Sequence, residues 1–164
     1  MNKTLPPITL NNALDAYRNA DASGKRLLEN LHGKQVFLSA MNIKERVKSF
    51  QDICDIASVD VEDFQLPYNA SEEEISDNAY DKLKLIIRVL NEGWKPNYRD
   101  TNEYKYYPYF RYNANTGAFV YSYYTYTVSN SSSVGSRLVF KSQELAIFAG
   151  ELFIEIYNEY LKYN

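Results

Sequence analysis

Apolar side chains in the first part of the chain recur every three to four residues, the spacing that places them on one face of a helix. Thr9 is suited to cap a helix over Leu10–Asn19, and a second helix is expected to begin at Asp21 or Ser23 and to end near Leu31. The N-terminal part is therefore predicted to be helical.

Two segments that follow carry weaker patterns. For the apolar run Gln35–Leu38, strand and coil both remain open, because a run this short has no readable period. Ser49, with Asp52 three residues later, resembles a capping box and predicts a short helix that buries Cys54. The segment Leu66–Asn69, which contains a proline, is the clearest linker in the chain.

The longest periodic segment begins at Ser71, which forms a capping box with Glu74 and predicts a helix that reaches about Asn91. Acidic side chains crowd its first turns and basic side chains its second half, an order that the helix dipole favours. The acidic run Glu72–Glu74 is therefore explained as helix chemistry and requires no metal ion.

Beyond this helix the pattern changes to the alternation that is typical of strands. Two aromatic strands are predicted, about Tyr104–Tyr112 and about Ala118–Val128, joined by the turn Asn113–Gly117. Ser136–Phe140 is predicted to be a third strand. Pro108 cannot donate a ladder hydrogen bond, so the first strand is expected to be an edge strand or to bulge there.

Strict alternation sorts the side chains of the second strand onto two faces. It places Phe119, Tyr121, Tyr123 and Thr125 on one face and Val120, Ser122, Tyr124 and Tyr126 on the other. A final helix from Ser142 to about Tyr160 carries an apolar stripe broad enough to cover one face.

The predicted fold class is α+β, with N-terminal helices, a small antiparallel three-stranded tyrosine-rich sheet and a C-terminal helix packed on the sheet. We expect residues 1–164 to form a single domain, because this length suffices to bury one core. Within it, residues 1–66 form a helical N-terminal part, and residues 71–164 form a part made of a helix, the sheet and a helix.

Tyrosine and charge concentrate in the predicted sheet. Nine of the 16 tyrosines lie between Tyr104 and Tyr126, and aromatic residues make up 15% of the chain. Residues 93–141 carry six basic side chains against two acidic ones, whereas the whole chain has a net charge of −3. The tyrosine-rich segment is therefore the net-positive part of the chain, which points weakly to an anionic partner.

Catalytic signatures are sparse. The chain has one Cys and one His, which excludes an internal disulfide and a zinc site built from cysteines. We find no glycine loop that would cradle a phosphate and no metal-ligand spacing, so the sequence predicts neither a cofactor nor a metal site, and no catalytic residue. It carries no recognisable signal peptide or membrane span, so we expect a cytoplasmic protein with no membrane partner.

Several motifs occur in a characteristic order: NEGWKP (Asn91–Pro96), YKYYPYF (Tyr104–Phe110), VGSRLVFK (Val134–Lys141) and ELAIFAG. This order resembles a family of small uncharacterised proteins encoded by gut Bacteroidales and their phages and prophages, with the pattern NEGWKP, YKYYPWF, GSRLCFK and ELAxYAG. Val139 stands in the place of the family's Cys, so the resemblance implies no thiol or metal chemistry there. The family has no established activity, so the resemblance implies only a bacterial or phage accessory protein.

Three classes of function remain open. The preferred hypothesis is a non-enzymatic module for protein interaction or self-association that uses the aromatic sheet surface, because aromatics and Arg are enriched at interfaces. The alternative is binding of single-stranded nucleic acid by stacking and phosphate contacts, which the negative net charge opposes. An enzyme of unknown type is the third. The candidate binding residues are Tyr106, Tyr121, Tyr123, Lys105, Arg111 and Arg137.

Overall fold

The computed structural model describes residues 9–127 and 137–162. The chain divides into two compact units, with the boundary between Arg46 and Val47. The single domain expected from the sequence stays a prediction. Within the described residues the fold is α+β, with eight α-helices, one 3₁₀ helix and a two-stranded antiparallel sheet. In the same residues, no helix is both long and apolar enough to cross a membrane.

The first unit contains four helices, namely α1 (Leu10–Asn19), α2 (Ala22–His32), α3 (Lys34–Ala40) and α4 (Ile43–Arg46). The Thr9 hydroxyl accepts a hydrogen bond from the backbone N–H of Asn12, and Asp21 caps α2 in the same way, so both predicted helix starts are confirmed.

Phe37 organises the core of the first unit. It is fully buried and stacks on the Tyr17 ring with the ring centres 4.5 Å apart. The Tyr17 hydroxyl donates to Glu29 at 2.6 Å, and this bond raises the pKa of Tyr17 to about 12. The run Gln35–Leu38, for which strand and coil were considered, is helical and lies within α3. This helix directs Phe37 into the core.

The second unit begins with α5 (Phe50–Ala57) and the 3₁₀ helix Val61–Phe64, followed by the long helix α6 (Glu72–Leu90). Ser71 and Glu74 form the predicted capping box, with each side chain bonded to the other residue's backbone N–H. The buried side chains of α6 include Leu83, Ile86 and Leu90, and Cys54 of α5 is buried as predicted.

The sheet is a hairpin of β1 (Lys105–Asn113) and β2 (Ala118–Thr127). The third strand predicted at Ser136–Phe140 is wrong as stated. Of its described residues, only Phe140 pairs with the sheet, through two backbone hydrogen bonds to Tyr106 of 2.7 and 3.0 Å. The pairing stops there because Ser142, only two residues after Phe140, caps the next helix.

The pairing with Phe140 also explains how the hairpin accommodates a proline. Tyr106 directs its backbone N–H and C=O toward Phe140 and away from β2. Strand alternation gives Pro108, two residues later, the same outward direction. Its missing N–H therefore removes no bond between β1 and β2, as predicted for a proline at a strand edge.

The single C-terminal helix predicted from Ser142 to about Tyr160 is divided into α7 (Gln143–Leu152) and α8 (Ile154–Leu161). The break lies at Phe153, which leaves helical geometry with ψ of 27° and is itself buried. The break lets each half pack separately: Gly150 of α7 lies against Tyr121 and Pro108, and Tyr157 of α8 lies against Phe110.

Candidate functional site

An irregularity in β2 sorts the tyrosines of the hairpin onto its two faces. Tyr109 pairs with Tyr123, but the next residue, Phe110, pairs with Tyr121, so Ser122 is an extra residue that forms a β-bulge. The strict alternation expected from the sequence is therefore wrong beyond Ser122. The bulge moves Tyr123 and Thr125 onto the face of Val120, and it moves Tyr124 and Tyr126 onto the face of Phe119 and Tyr121.

One face of the hairpin, the covered face, packs on α7 and α8. It carries Pro108, Phe110, Tyr121 and Tyr124, and its ring contacts continue to Tyr157 of α8, 4.6 Å away from Phe110 between ring centres. Burial raises the pKa of Tyr121. These side chains bind the sheet to the helices.

The other side of the hairpin, the open face, is formed by Tyr109, Arg111, Val120 and Tyr123. Each of its three uncharged members keeps more than two-fifths of its surface exposed, with 42% for Tyr109, 41% for Val120 and 44% for Tyr123. The two tyrosine rings stack with centres 4.7 Å apart, and the Arg111 guanidinium lies 6.0 Å from the Tyr123 ring centre. The open face is therefore a preformed aromatic surface with one cation.

Lys105 lies on the same side of β1 but does not reach solvent. Its side chain is fully buried, and its ammonium donates to the backbone carbonyls of Asp100 and Glu103 at 3.1 and 2.8 Å. The Glu103 carboxylate is 3.3 Å away, and the Tyr98 ring lies beneath the ammonium at 5.3 Å. Lys105 thus holds the preceding loop against the strand, a role that its place in a run of tyrosines does not reveal.

The structure brings together only part of the set of candidate binding residues. Tyr123 and Arg111 meet on the open face, whereas Tyr121 lies on the covered face. Tyr106 shares that covered side, where burial raises its pKa and its ring adjoins those of Tyr104, Tyr124 and Tyr126. Arg137 lies apart from the open face.

Arg137 lines a groove that the sequence did not reveal. The groove has a volume of about 660 Å³ and runs between the second half of α6, the 3₁₀ helix and the turn after α6. Its apolar walls include Phe64, Trp94 and Val139. Among the residues that the structure describes, four cations and one carboxylate, Asp81, line it. We call it the basic groove after the cations Lys84, Arg88, Lys95 and Arg137. The sequence signal for this groove is the pair Lys84 and Arg88 on α6, because residues four apart share one face of a helix.

The residue types most often used as metal ligands and nucleophiles lie apart from one another in the described residues. The described part of the chain contains no group of three or more His, Cys, Asp or Glu side chains placed to hold a metal ion. Burial raises the pKa of the Cys54 thiol, which favours its protonated form. His32 ends α2, with its ring packed edge-on against Phe37.

Comparison with models of known protein families, with curated proteins and with solved structures returns no match. The resemblance to a family of Bacteroidales and phage proteins stays a prediction. We therefore infer function from the geometry of the open face and of the basic groove.

Proposed function

We propose that the protein is a non-enzymatic interaction module that holds a partner protein on the open face. The observation that carries this proposal is the exposure of Tyr109, Val120 and Tyr123 as neighbours on one hairpin. The rings of Tyr109 and Tyr123 stack on each other without a partner, so these side chains lose little conformational freedom on binding. Tyrosine and arginine are also among the residue types enriched at the energetically dominant positions of protein interfaces.

The same geometry ranks single-stranded nucleic acid second. Stacking of bases on tyrosine would need supporting cations along the phosphate backbone. Of the three predicted cations, the Lys105 ammonium is buried against carbonyl groups and Arg137 lies in the basic groove, which leaves Arg111 on the open face. A protein partner requires no such row of cations. We place this interaction in the cytoplasm of a bacterial host, where the resemblance puts a bacterial or phage accessory protein.

A photocrosslinking experiment tests the proposal. A benzophenone amino acid replaces Tyr123 on the open face, and in a matched control it replaces Asn115, an exposed residue of the hairpin turn. We expect a discrete, nuclease-resistant protein adduct at Tyr123 in bacterial cells and none at Asn115. The adduct should weaken at least about tenfold when Val120→Asp places an unpaired charge in the interface.

Two results would contradict the proposal. The first is an equal pattern of adducts at Tyr123 and Asn115, which would show that the open face has no preferred partner. The second is an adduct at Tyr123 that disappears on nuclease treatment, which would favour the nucleic-acid alternative instead.

A further inference from the structure

The basic groove has the composition of a binding site for an acidic segment with an aromatic anchor. Arg88, Lys95 and Arg137 form no ion pair with any residue that the structure describes, whereas Lys84 is paired with Asp81. The apolar walls of the same groove include Phe64 and Trp94. A ligand that fits must bring negative charge to the rim and an apolar group to the centre.

The chain itself carries a segment with this complementary chemistry. Tyr68 is fully exposed at the tip of a turn closed by a 3.0 Å bond from the Ala70 N–H to the Pro67 carbonyl. The acidic run Glu72–Glu74 begins four residues after Tyr68, in the first turn of α6. Among the described residues, Glu72 and Glu73 have no cationic partner, and Glu74 is engaged in the capping box.

The acidic run cannot pair with the cations near the far end of α6 in its own molecule. Glu73 lies in the first turn of α6 and Arg88 in its last turn, so about 22 Å of helix separates them. Tyr68 is exposed and therefore does not occupy the groove of its own chain. The acidic end of α6 in one molecule can reach the basic groove only of another.

We infer that the basic groove binds Tyr68 and the acidic run of a second copy of this chain, in a head-to-tail contact. The Tyr68 ring enters between Phe64 and Trp94, and the carboxylates of Glu72 and Glu73 pair with the free cations at the rim. Because this contact joins two different surfaces, it leaves one free groove and one free acidic end, and it can extend to further copies. The inference goes beyond the open face, which it does not use.

The first measurement is sedimentation of the full chain over a range of concentrations at low and high salt. We expect reversible self-association that weakens as salt rises, because the contact is rich in exposed charges. Tyr68→Ser and the double variant Arg88→Glu with Arg137→Glu should each weaken it at least tenfold. Arg99→Glu reverses one charge at an exposed position outside the groove, and Tyr112→Ser removes another exposed tyrosine; both should associate as the parent chain does.

Mixing two defective variants separates this contact from any other mode of association. The groove variant keeps a working acidic end, and Tyr68→Ser keeps a working groove, so together they should form a one-to-one complex that grows no further. Circular dichroism of each variant checks that it is folded. A parent chain that stays monomeric at low salt, or a mixture that fails to associate, would overturn the inference.

Trp94 supplies a readout of the groove, because it is the only tryptophan of the chain. Its fluorescence should change on self-association and on addition of a peptide spanning residues 65–76, and a peptide with Ser in place of Tyr68 should have at least tenfold less effect. A change with a single-stranded oligonucleotide but not with the peptide would show a different occupant and would equally overturn the inference. Variants of Tyr109 and Tyr123 should leave this signal intact, so the two proposals can fail separately.

Discussion

The two faces of the hairpin are both rich in tyrosine, yet they have opposite relations to the rest of the molecule. On the covered face, Tyr121 lies against Gly150, and Phe110 reaches Tyr157. On the open face, Tyr109 and Tyr123 stack on each other and remain exposed. The residue type therefore does not decide the role of a tyrosine ring. What decides it is whether a helix packs on that face of the sheet.

The most disruptive test of this comparison is insertion of one serine between Tyr123 and Tyr124. The added residue shifts the alternation of β2 by one position, so Tyr124 and Tyr126 leave the covered face and Thr125 moves onto it. We expect the free energy of unfolding of the second unit to fall by at least about 3 kcal/mol, measured by urea denaturation. Ser122→Ala keeps the bulge and should change stability by no more than about 0.5 kcal/mol. An insertion variant as stable as the parent would show that the faces on which Tyr124 and Tyr126 lie do not matter to the fold.

Truncation of one tyrosine on each face measures the difference directly. Tyr121→Ala removes a ring packed on α7 and should cost about 2–3 kcal/mol of unfolding free energy. Tyr123→Ala removes an exposed ring and its stacking on Tyr109, which should cost about 1 kcal/mol. Equal losses in the two variants would mean that the open face is covered in solution.

The covered face can also be disturbed from the helix side. A Cβ at position 150 would lie 2.7 Å from a ring carbon of Tyr121 and 2.8 Å from the Cβ of Pro108. We expect Gly150→Ala to destabilise the second unit by about 1–3 kcal/mol, because a close-packed contact leaves no room for the methyl group. The neighbouring change Glu151→Ala, at an exposed position of the same helix, serves as the control.

One change should improve the covered face. The Tyr157 side chain is buried, and its hydroxyl has no hydrogen-bond partner among residues 9–127 and 137–162. Tyr157→Phe removes this unsatisfied group, so thermal denaturation should show a gain of about 1 kcal/mol. A loss of that size instead would reveal a bonding partner for the hydroxyl.

The smallest effect concerns alkaline pH. Burial raises the pKa of Tyr106 and Tyr121 above that of an unfolded tyrosine, which is about 10. The folded state therefore holds these protons more tightly, and their contribution is complete below pH of about 10 and is lost as pH rises through the folded pKa. Tyr121→Phe should make the decline in stability above that pH less steep, whereas Tyr123→Phe provides the open-face comparison.

Local chemistry allowed much of the helical structure to be predicted. The caps at Thr9 and Ser71 depend on residues within one turn, so the helix starts they mark appear where the sequence places them. The break at Phe153 was missed because the apolar stripe continues through it, and only packing of α7 and α8 on different partners requires the chain to leave the helix there.

The candidate site was less accessible to sequence reasoning, for two physical reasons. The bulge at Ser122 has no local marker, and it reverses the face of each later residue in β2. The burial of Lys105 depends on a loop that folds back to offer the carbonyls of Asp100 and Glu103. In both cases the side chain's surroundings come from tertiary contacts.

The Asn158 side chain has a consequence for how far the sheet can grow. Its amide accepts from the Phe119 N–H at 2.7 Å and donates to the Phe119 carbonyl at 2.8 Å, so one side chain imitates a rung of an adjoining strand. That rung occupies the outer margin of β2 beside the turn. An extended peptide that pairs with this edge would find the stretch from Tyr121 to Tyr126, about 20 Å long, beyond the Asn158 contact. The Asn158 side chain thus limits the length over which an added strand could pair with β2.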